Sequence, residues 1–430
     1  MRPDLRASAS LFAVLLFLSL PALLPVAATA APASGRRAVI VVLEDGAGDP
    51  GDVAAQHGRA YGLEVGPVYR SVFGGYAASV PTARLDALRA DASVLMVAPD
   101  EPVSIAKRIR RLSTQVLPTG VNRINADSTA NRGYGVDVAV LDTGIDSDHP
   151  DLAPNLAGGV NCSSGTTFED GNGHGTHVAG TIAARANRFG VVGVAPLANL
   201  WAVRVLNNAG SGSTSSVVCG IDFVDSLSPA HGGPITVANM SLGGSGSDDG
   251  ACGTSNGDPM HAAICAATAD GVTFVVAAGN DGVNLAGSVP AAYDEVVTVT
   301  ALADSDGRSC GLGSPTGYGV DDTFASFSNT GSGADLDHVV AAPGVGIYST
   351  YKNAGYASLS GTSMATPHVA GAAALYIAGH PGAGASEVLA SLRTTGELPG
   401  VDMNGECSGG ASHTDAPGQH PEPVVRAEAF

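Results

Sequence analysis

Residues 135–142 read GVDVAVLD, a short apolar run that ends on an aspartate. Its apolar side chains are consecutive rather than alternating, which is typical of a strand buried on both faces of a parallel sheet. Helical stretches such as HGTHVAGTIAARAN (174–187) lie between this run and later ones. The later runs are LWAVRVLN (200–207), PITVANMSL (234–242), VTFVVAAGN (272–280) and EVVTVTA (295–301). Strands that alternate with helices predict an α/β domain with a parallel sheet, from about residue 112 to residue 395.

Polar residues stand at the ends of three of these runs. Asp142, Ser241 and Asn280 each follow the apolar part of a run. In an open parallel sheet the ligand-binding crevice lies beyond the carboxyl ends of the strands, so these side chains are expected to meet there. His174 and Ser363 begin two predicted helices, where free backbone N–H groups favour negative charge. The sequence therefore predicts an active site at this edge of the sheet.

The helix start SGTSMATPHVAG (360–371) surrounds Ser363 with small residues where a core helix would have Leu or Ile. Small neighbours would let a substrate backbone approach the hydroxyl, and the helix start would supply an N–H donor to a developing oxyanion. Pro367 is expected to be tolerated because first-turn N–H groups lack intrahelical acceptors. A serine nucleophile also needs an imidazole base and a carboxylate that orients it, roles that suit His174 and Asp142.

Other chemistries fit these motifs less well. The HGTH stretch (174–177) lacks the glutamate of zinc-protease helices, and no GxSxG motif surrounds Ser363 as it would in a lipase or esterase of the α/β-hydrolase class. Taken alone, a serine before a helix is usually an N-cap, and an aspartate after a strand is commonly a turn residue. The prediction of catalysis depends on finding all of these residues together.

Three motifs resemble those of the subtilisin-like serine proteases, in the order Asp, His, Ser. They are VLDTGIDSDHPDL (140–152), GHGTHVAGTIAA (173–184) and SGTSMATPHVAGAAAL (360–375). Overall the chain resembles the proteinase K side of that family. The resemblance implies a subtilisin-like α/β fold and a serine endopeptidase that cleaves peptide bonds through an acyl-enzyme. The alternative is a catalytically idle subtilase fold that only binds proteins, but no residue of the triad or oxyanion motif is missing.

The resemblance also implies a role for each motif residue. Ser363 would be the nucleophile, His174 the general base and acid, and Asp142 the partner that orients the imidazole. Asn280 would donate its side-chain amide to the oxyanion, together with the backbone N–H of Ser363. An apolar substrate side chain is expected first, although Asp281 at the pocket rim could admit a basic one. The substrate-contacting residues would be Gly210, Ser211 and Gly212 on one edge, Ser241, Leu242 and Gly243 on the other, and Ala277, Ala278 and Gly279 in the pocket wall.

The N-terminus predicts export. Arg2 and Arg6 precede the apolar run 11–26 and the small-residue stretch AATAAPA, which is the order of a secretory signal peptide over residues 1–30. The apolar run is broken by two prolines, and its clean part is shorter than about 20 residues, so a membrane anchor is not expected. The protein is expected to be extracellular.

Residues 36–105 show the order β-α-β-β-α-β of a ferredoxin-like α+β unit, and the basic stretch AKRIRRLSTQVLPTG (106–120) that follows lacks apolar periodicity. The unit resembles the inhibitory propeptide of the family, which implies a self-processing precursor with propeptide and linker over residues 31–111. The peptidase domain is then expected over residues 112–395. The Gly- and Pro-rich segment 396–430 is expected to be a loosely ordered C-terminal tail.

The cysteines agree with export. They form an even set of 6, which favours two or three disulfides. Spacing does not choose among the connectivities, although Cys252 and Cys265 could close one surface loop and Cys407 could tie down the tail. No CxxC pair occurs, so a zinc cage is not expected. The formal net charge of −19 argues against a nucleic-acid partner.

No cofactor or metal is expected for catalysis. Members of the proteinase K group hold a structural calcium partly through an aspartate four residues before the Pro of a PG pair, but that position is Val339 here and Asp337 lies two residues earlier. The acidic loop DSDHPD (146–151) offers another place for a calcium ion. The expected partners are protein or peptide substrates and the chain's own propeptide, and a monomer is expected.

Overall fold

The computed structural model describes residues 35–104, 115–403, 405, 407, 410–414 and 420–430. The predicted signal peptide and most of the predicted linker lie outside these residues. The chain divides into two units, and the second, Arg36–Phe430, is compact and contains almost all of the described residues. Within the described ranges, no helix combines the length and apolar character needed to span a bilayer.

Residues 36–99 form a small α+β structure, called here the N-terminal unit. Its elements are β1 (Arg36–Leu43), α1 (Pro50–Tyr61), β2 (Glu64–Tyr69), β3 (Gly75–Pro81), α2 (Leu85–Arg89) and β4 (Val94–Pro99). The strands form an antiparallel sheet in the order β2-β3-β1-β4. Helix α1 begins where the Asp49 carboxylate accepts two backbone N–H groups, and it ends at Gly62, whose φ of 70° favours glycine. The ferredoxin-like order predicted for this region is confirmed.

The larger part of the unit follows β4. Its elements are β5 (Pro102–Ser104), α3 (Thr119–Arg123), β6 (Asp137–Asp142), β7 (Leu156–Asn161), α4 (His174–Ala183), β8 (Asn199–Arg204), β9 (Ser211–Ser213), α5 (Thr214–Ser226), β10 (Ile235–Met240), β11 (Gly244–Ser245), α6 (Pro259–Ala269), β12 (Thr273–Ala277), β13 (Ser288–Val289), β14 (Val297–Ala303), β15 (Thr323–Phe324), β16 (Val339–Pro343), β17 (Ile347–Tyr351), β18 (Gly355–Leu359), α7 (Thr362–Gly379) and α8 (Ala385–Thr395).

This part is built on an eight-stranded sheet with the order β15-β14-β12-β10-β6-β8-β7 and with β16 paired to β14. Every pairing in it is parallel except that of β14 with β15.

Helices cover both faces of this sheet. Apolar residues of α4 and α7 pack on one face, and those of α5 and α6 pack on the other. Strands β6 and β12 are therefore buried at every position, which explains why the residues between the polar ends of β6 and those after the first residue of β12 are continuously apolar. The predicted α/β fold with a parallel sheet is confirmed.

Three disulfides hold the larger part of the unit together. They join Cys162 to Cys219, Cys252 to Cys265, and Cys310 to Cys407. The pairing predicted for Cys252 and Cys265 is confirmed, as is the role of Cys407 in tying down the C-terminal segment.

The described residues of segment 396–430 are not loosely ordered, in contrast to the expectation from sequence. Glu397 pairs with Val424, which also pairs with Ala341 of β16. Val424, Val425 and Ala427 are fully buried. The segment has no apolar periodicity because its order comes from contacts with distant parts of the chain rather than from a helix or long strand of its own.

Candidate active site

Asp142 and His174 form a buried pair at the carboxyl end of the sheet. Asp142 is the last residue of β6, and His174 is the first residue of α4. The imidazole Nδ1 lies 2.9 Å from each carboxylate oxygen, and both side chains are fully buried. Nδ1–H therefore donates to the carboxylate, which leaves Nε2 as the proton acceptor. Nε2 is buried and has no hydrogen-bond partner among the described residues.

Asp170 positions this pair, and the sequence analysis missed it. Its Oδ1 accepts the Thr143 hydroxyl at 2.9 Å, next to Asp142, and the Gly173 N–H at 2.7 Å. Its Oδ2 accepts the Thr176 N–H at 2.9 Å in the first turn of α4. One carboxylate thus holds the end of β6 and the start of α4 together. The available signal was an aspartate shortly before a predicted helix, a position that favours capping.

Ser363 is the second residue of α7 and is 5% exposed. Its hydroxyl donates to the Ser241 carbonyl at 3.2 Å, and the Ser241 hydroxyl donates to the Ser363 carbonyl at 2.9 Å. Pro367 lies beyond the first turn and has no N–H for the carbonyl four residues earlier, which is that of Ser363. The first-turn explanation expected for Pro367 is therefore wrong. The Ser241 hydroxyl supplies the missing donor.

Asn280 follows β12 and is oriented by Thr362 of α7. Its Oδ1 accepts the Thr362 N–H at 2.8 Å and the Thr362 hydroxyl at 3.1 Å. The Thr362 hydroxyl oxygen in turn accepts the Gly279 N–H at 3.2 Å. Both of these hydrogen bonds use Oδ1 of Asn280. The amide nitrogen Nδ2 therefore points away from Thr362, and neither of its two N–H groups is used in binding Thr362.

A cleft of about 610 Å³ brings together most of the residues predicted from sequence. Ser363 and Asn280 lie at this cleft, and Asp281 is also on its wall. Ser241 is fully buried beneath it. The predicted substrate-contacting residues that line the cleft are Leu242, Gly243, Ala277, Ala278 and Gly279.

The predicted edge 210–212 lies in and beside β9, and a strand from earlier in the chain pairs with it. β5 runs antiparallel to β9, with Pro102 opposite Ser213, Val103 opposite Gly212 and Ser104 opposite Ser211. The Thr214 N–H, at the start of α5, donates to the Glu101 carbonyl at 2.7 Å. The segment that leads out of the N-terminal unit thus occupies an edge predicted to bind an extended substrate backbone.

His177 lies one helical turn after His174 and serves packing. Its Nε2 lies 2.9 Å from the Ile347 carbonyl and 3.2 Å from the Ala357 carbonyl, so it donates to the β17–β18 hairpin. Burial lowers the pKa of His177 to about 3 and keeps the ring neutral.

The acidic loop 146–151 uses its carboxylates for protein contacts. Asp151 accepts the Tyr356 hydroxyl at 2.9 Å, the Val191 N–H at 3.0 Å and an Asn187 amide hydrogen at 2.7 Å. Asp146 accepts the Ala354 N–H at 2.9 Å. These donors already stabilise the negative charges that could have attracted a calcium ion to this loop.

The sequence profile of the Subtilase family (peptidase S8) matches residues 133–416. The chain belongs to this family. As a subtilase it is a serine endopeptidase, as predicted from the motifs. The matched range runs past residue 395, in agreement with the packing of the C-terminal segment.

Individual relatives agree with the family match. This subtilase is 42% identical over 288 residues to Subtilisin DY from Bacillus licheniformis, which covers 65% of this chain and 92% of that protein. It is 46% identical over 267 residues to Subtilisin Savinase from Lederbergia lenta, and the aligned region covers 61% of this chain and 84% of that protein. Among solved structures it resembles a cold adapted subtilisin-like serine proteinase, with a TM-score of 0.55, 31% identity, and coverage of 72% of this chain and 97% of that one. The placement on the proteinase K side of the family stays a prediction.

Proposed function

We propose that Ser363 attacks the substrate carbonyl while His174 accepts its proton, and that Asp142 orients and stabilises the imidazole. The observation that carries this proposal is the Asp142–His174 pair. Because Asp142 binds Nδ1–H, the nitrogen left without a partner is the acceptor that a general base needs. Helix α7, whose second residue is the nucleophile, packs against α4, whose first residue is the base. Family membership supports this assignment of roles.

The developing oxyanion would be bound by Nδ2 of Asn280 and by the backbone N–H of Ser363. Thr362 already binds Oδ1 of Asn280, so the amide is held in one orientation before substrate arrives. The N–H of Ser363 belongs to the first turn of α7, where intrahelical acceptors are lacking. Fixed donors of this kind are effective because they need no reorganisation during the reaction.

The substrate would bind as an extended peptide against β9, as β5 does, and against Leu242 and Gly243 on the cleft. Backbone pairing reads main-chain groups rather than side chains, so broad specificity is expected. Ala277–Gly279 would form the wall of the pocket for the side chain before the scissile bond. An apolar side chain is favoured there, and the exposed Asp281 would admit a basic one.

The chain would be made as a secreted precursor and act as an extracellular monomer. Residues 1–30 would be the signal peptide, 31–111 the inhibitory propeptide with its linker, and the peptidase domain would follow. The pairing of β5 with β9 supports a product-like position for the end of the propeptide. Gln115 is bound elsewhere, with its amide donating to the Arg185 carbonyl at 3.0 Å. The first cut would therefore fall between the two, giving a mature start between Ala106 and Gln115.

Ser363→Ala tests nucleophile and self-processing together. The variant should fold and be exported but remain one uncut precursor, since alanine removes the nucleophile and loses only the hydrogen bond to the Ser241 carbonyl, which contributes about 1 kcal/mol. Wild type and Ser226→Ala, which changes an exposed serine of α5, should both yield two fragments. Mass spectrometry of protein from a host without other extracellular proteases measures this. A serine-reactive phosphonate should label the mature wild type.

Cleavage of the alanine variant at the same bond would show that another protease recognises the basic linker. Failure of the phosphonate to label wild type would instead favour the idle, protein-binding alternative.

A further inference from the structure

A cluster of carboxylates lies in the loop between β14 and β15, and its residues are not among those that line the cleft. One oxygen each of Asp304, Asp306 and Asp321 lies within 4.8 Å of the others. Asp304 and Asp321 are each only 2% exposed, whereas Asp306 is exposed. Two buried carboxylates beside a third group of the same charge are costly unless something compensates them.

Asp304 carries the clearest sign that a partner is missing. Its Oδ1 accepts the Gly307 N–H at 2.9 Å, but its Oδ2 is buried and has no hydrogen-bond partner among the described residues. A bound cation would satisfy this oxygen and favour the ionised carboxylate.

The nearby guanidinium does not fill that role. Arg123 donates through Nε to Asp322 at 2.7 Å and through Nη2 to Glu397 at 2.6 Å. Its donors are thus directed at two other buried carboxylates. Among the described residues, Arg123 forms its ion pairs with Asp322 and Glu397 and not with Asp304 or Asp321.

Asp306 and Asp321 also keep oxygen lone pairs available for a ligand. The Asp321 oxygens accept the Ser305 and Gly313 N–H groups, each at 2.7 Å, and Asp306 accepts the Arg308 N–H at 2.9 Å. An ionised carboxylate offers about four acceptor sites, so these bonds leave further sites free.

We propose that Asp304, Asp306 and Asp321 bind a calcium ion, with backbone carbonyls or water completing its shell. All three side chains supply hard oxygen ligands, which Ca²⁺ prefers, and none supplies nitrogen or sulfur as zinc would favour. The site is separate from the predicted proteinase K-type position near Val339 and from the loop 146–151.

The position of the loop indicates what the ion does. A Cβ at Gly307 would lie 3.0 Å from the Thr119 carbonyl and 3.1 Å from Asn122, so the loop packs against α3, near the start of the proposed mature enzyme. The Cys310–Cys407 disulfide joins the same loop to the C-terminal segment. The ion therefore stabilises the loop that connects both ends of the peptidase domain. Removal of the ion should lower the melting temperature of the protein.

The Ser363→Ala precursor is the protein for the test, because it cannot digest itself. After treatment with a chelator, calcium is added back, the melting temperature is followed by circular dichroism, and bound calcium is counted by calorimetry and metal analysis. Calcium should raise the melting temperature in a saturable way. Asp304→Asn and the exposed Asp306→Asn should each bind one calcium fewer or bind it more than about 100-fold more weakly, since changes outside a ligand set alone cost about 10–100-fold.

Asp337→Asn is the matched control, because Asp337 is exposed and lies near the family's other calcium position. It should leave the response to calcium unchanged. The proposal is overturned if the precursor binds no calcium, if both Asp304→Asn and Asp306→Asn keep the full stoichiometry, or if Asp337→Asn alone abolishes binding. A rise in the chelated melting temperature on Asp304→Asn, without any calcium effect on the precursor, would show instead that Asp304 is a neutral carboxylic acid.

Discussion

The hydroxyl of Ser241 compensates for the proline inside α7, which lies much later in the chain but close in space. Pro367 deprives the Ser363 carbonyl of its helical donor, and the Ser241 hydroxyl takes that place at 2.9 Å. The Ser241 carbonyl in turn accepts the Ser363 hydroxyl. The residue that we propose as nucleophile is thus held from both its backbone and its side chain by one neighbour.

Asn280→Ala should lower kcat by about 100- to 1,000-fold with little change in KM. The amide Nδ2 is expected to bind the oxyanion, which exists only in the transition state, so its loss should not weaken binding of the ground state. Steady-state kinetics on one peptide substrate measures both constants.

Asn256→Ala is the control for that variant, because Asn256 is an exposed loop asparagine whose amide donates to the Ser247 carbonyl. It should leave kcat near the wild-type value. An unchanged kcat in Asn280→Ala would remove Asn280 from the oxyanion site.

Helix α5 is the element on which the N-terminal unit docks. The Asp222 carboxylate of α5 accepts the N–H groups of Arg70 and Ser71 at 2.9 and 2.6 Å. At the start of the same helix, the Ser215 N–H donates to the Asp100 carboxylate at 2.6 Å. The Asp100 carboxylate, which does not belong to α5, thus caps the N-terminus of this helix, where the dipole favours negative charge. These contacts place β5 on β9.

The N-terminal unit contains a buried histidine between α1 and the sheet. His57 is 2% exposed, and its Nδ1 lies 2.6 Å from the Tyr76 hydroxyl and its Nε2 3.1 Å from the Ser93 hydroxyl. Burial lowers the pKa of His57, although the Asp91 carboxylate 3.5 Å away opposes this effect. A folded pKa below the unfolded value of about 6.5 gives stability that is present above that pH and is lost as pH falls through the folded pKa.

The N-terminal unit should therefore lose stability as pH falls below about 6.5. Denaturant unfolding of the Ser363→Ala precursor at pH 7.5, 6.0 and 5.0, followed by circular dichroism, measures this. His57→Gln keeps a polar group in the same place but does not titrate, so its stability should change less over that range. Hydrogen bonds from Tyr61 and Ser93 lower the pKa of Asp91 to about 2, so Asp91 stays ionised throughout. Equal pH responses in both proteins would rule His57 out as the cause.

At the scale of the whole molecule, the features that could be predicted from the sequence are those that depend on local patterns of apolar and polar residues. The central strands of the parallel sheet contain consecutive apolar residues, Asp142 ends one of them and Asn280 follows another, so fold and candidate site could both be inferred. The role of Asp170 was not predicted because its partners are backbone N–H groups and threonine hydroxyls that come together only in the folded chain. The ordered packing of segment 396–430 was not predicted because it depends on contacts with residues far away in the chain. Such contacts leave no periodic signal in the sequence.

Arg123 links that segment to the start of the proposed mature enzyme. Its guanidinium binds Glu397 through two nitrogens, at 3.1 and 2.6 Å, and Asp322 through a third at 2.7 Å. All three side chains are at most 3% exposed. Because the pairing is bidentate and buried, removing the guanidinium leaves the Asp322 carboxylate without an ion pair among the described residues and leaves Glu397 with His413 alone, at 2.9 Å.

Arg123→Met should lower the free energy of unfolding of the Ser363→Ala precursor by about 3–5 kcal/mol, measured by guanidinium denaturation. Arg123→Lys should lower the free energy of unfolding by less than Arg123→Met does. Lysine keeps the positive charge but lacks the planar guanidinium that binds two carboxylates at once. Arg89→Met is the control: Arg89 is half exposed and pairs with the exposed Asp86 at 3.2 Å, and such surface pairs contribute only about 0–1 kcal/mol. If Arg123→Met cost no more than Arg89→Met, the C-terminal segment would be held by its apolar contacts at Val424 and by the Cys310–Cys407 disulfide rather than by the buried ion pairs.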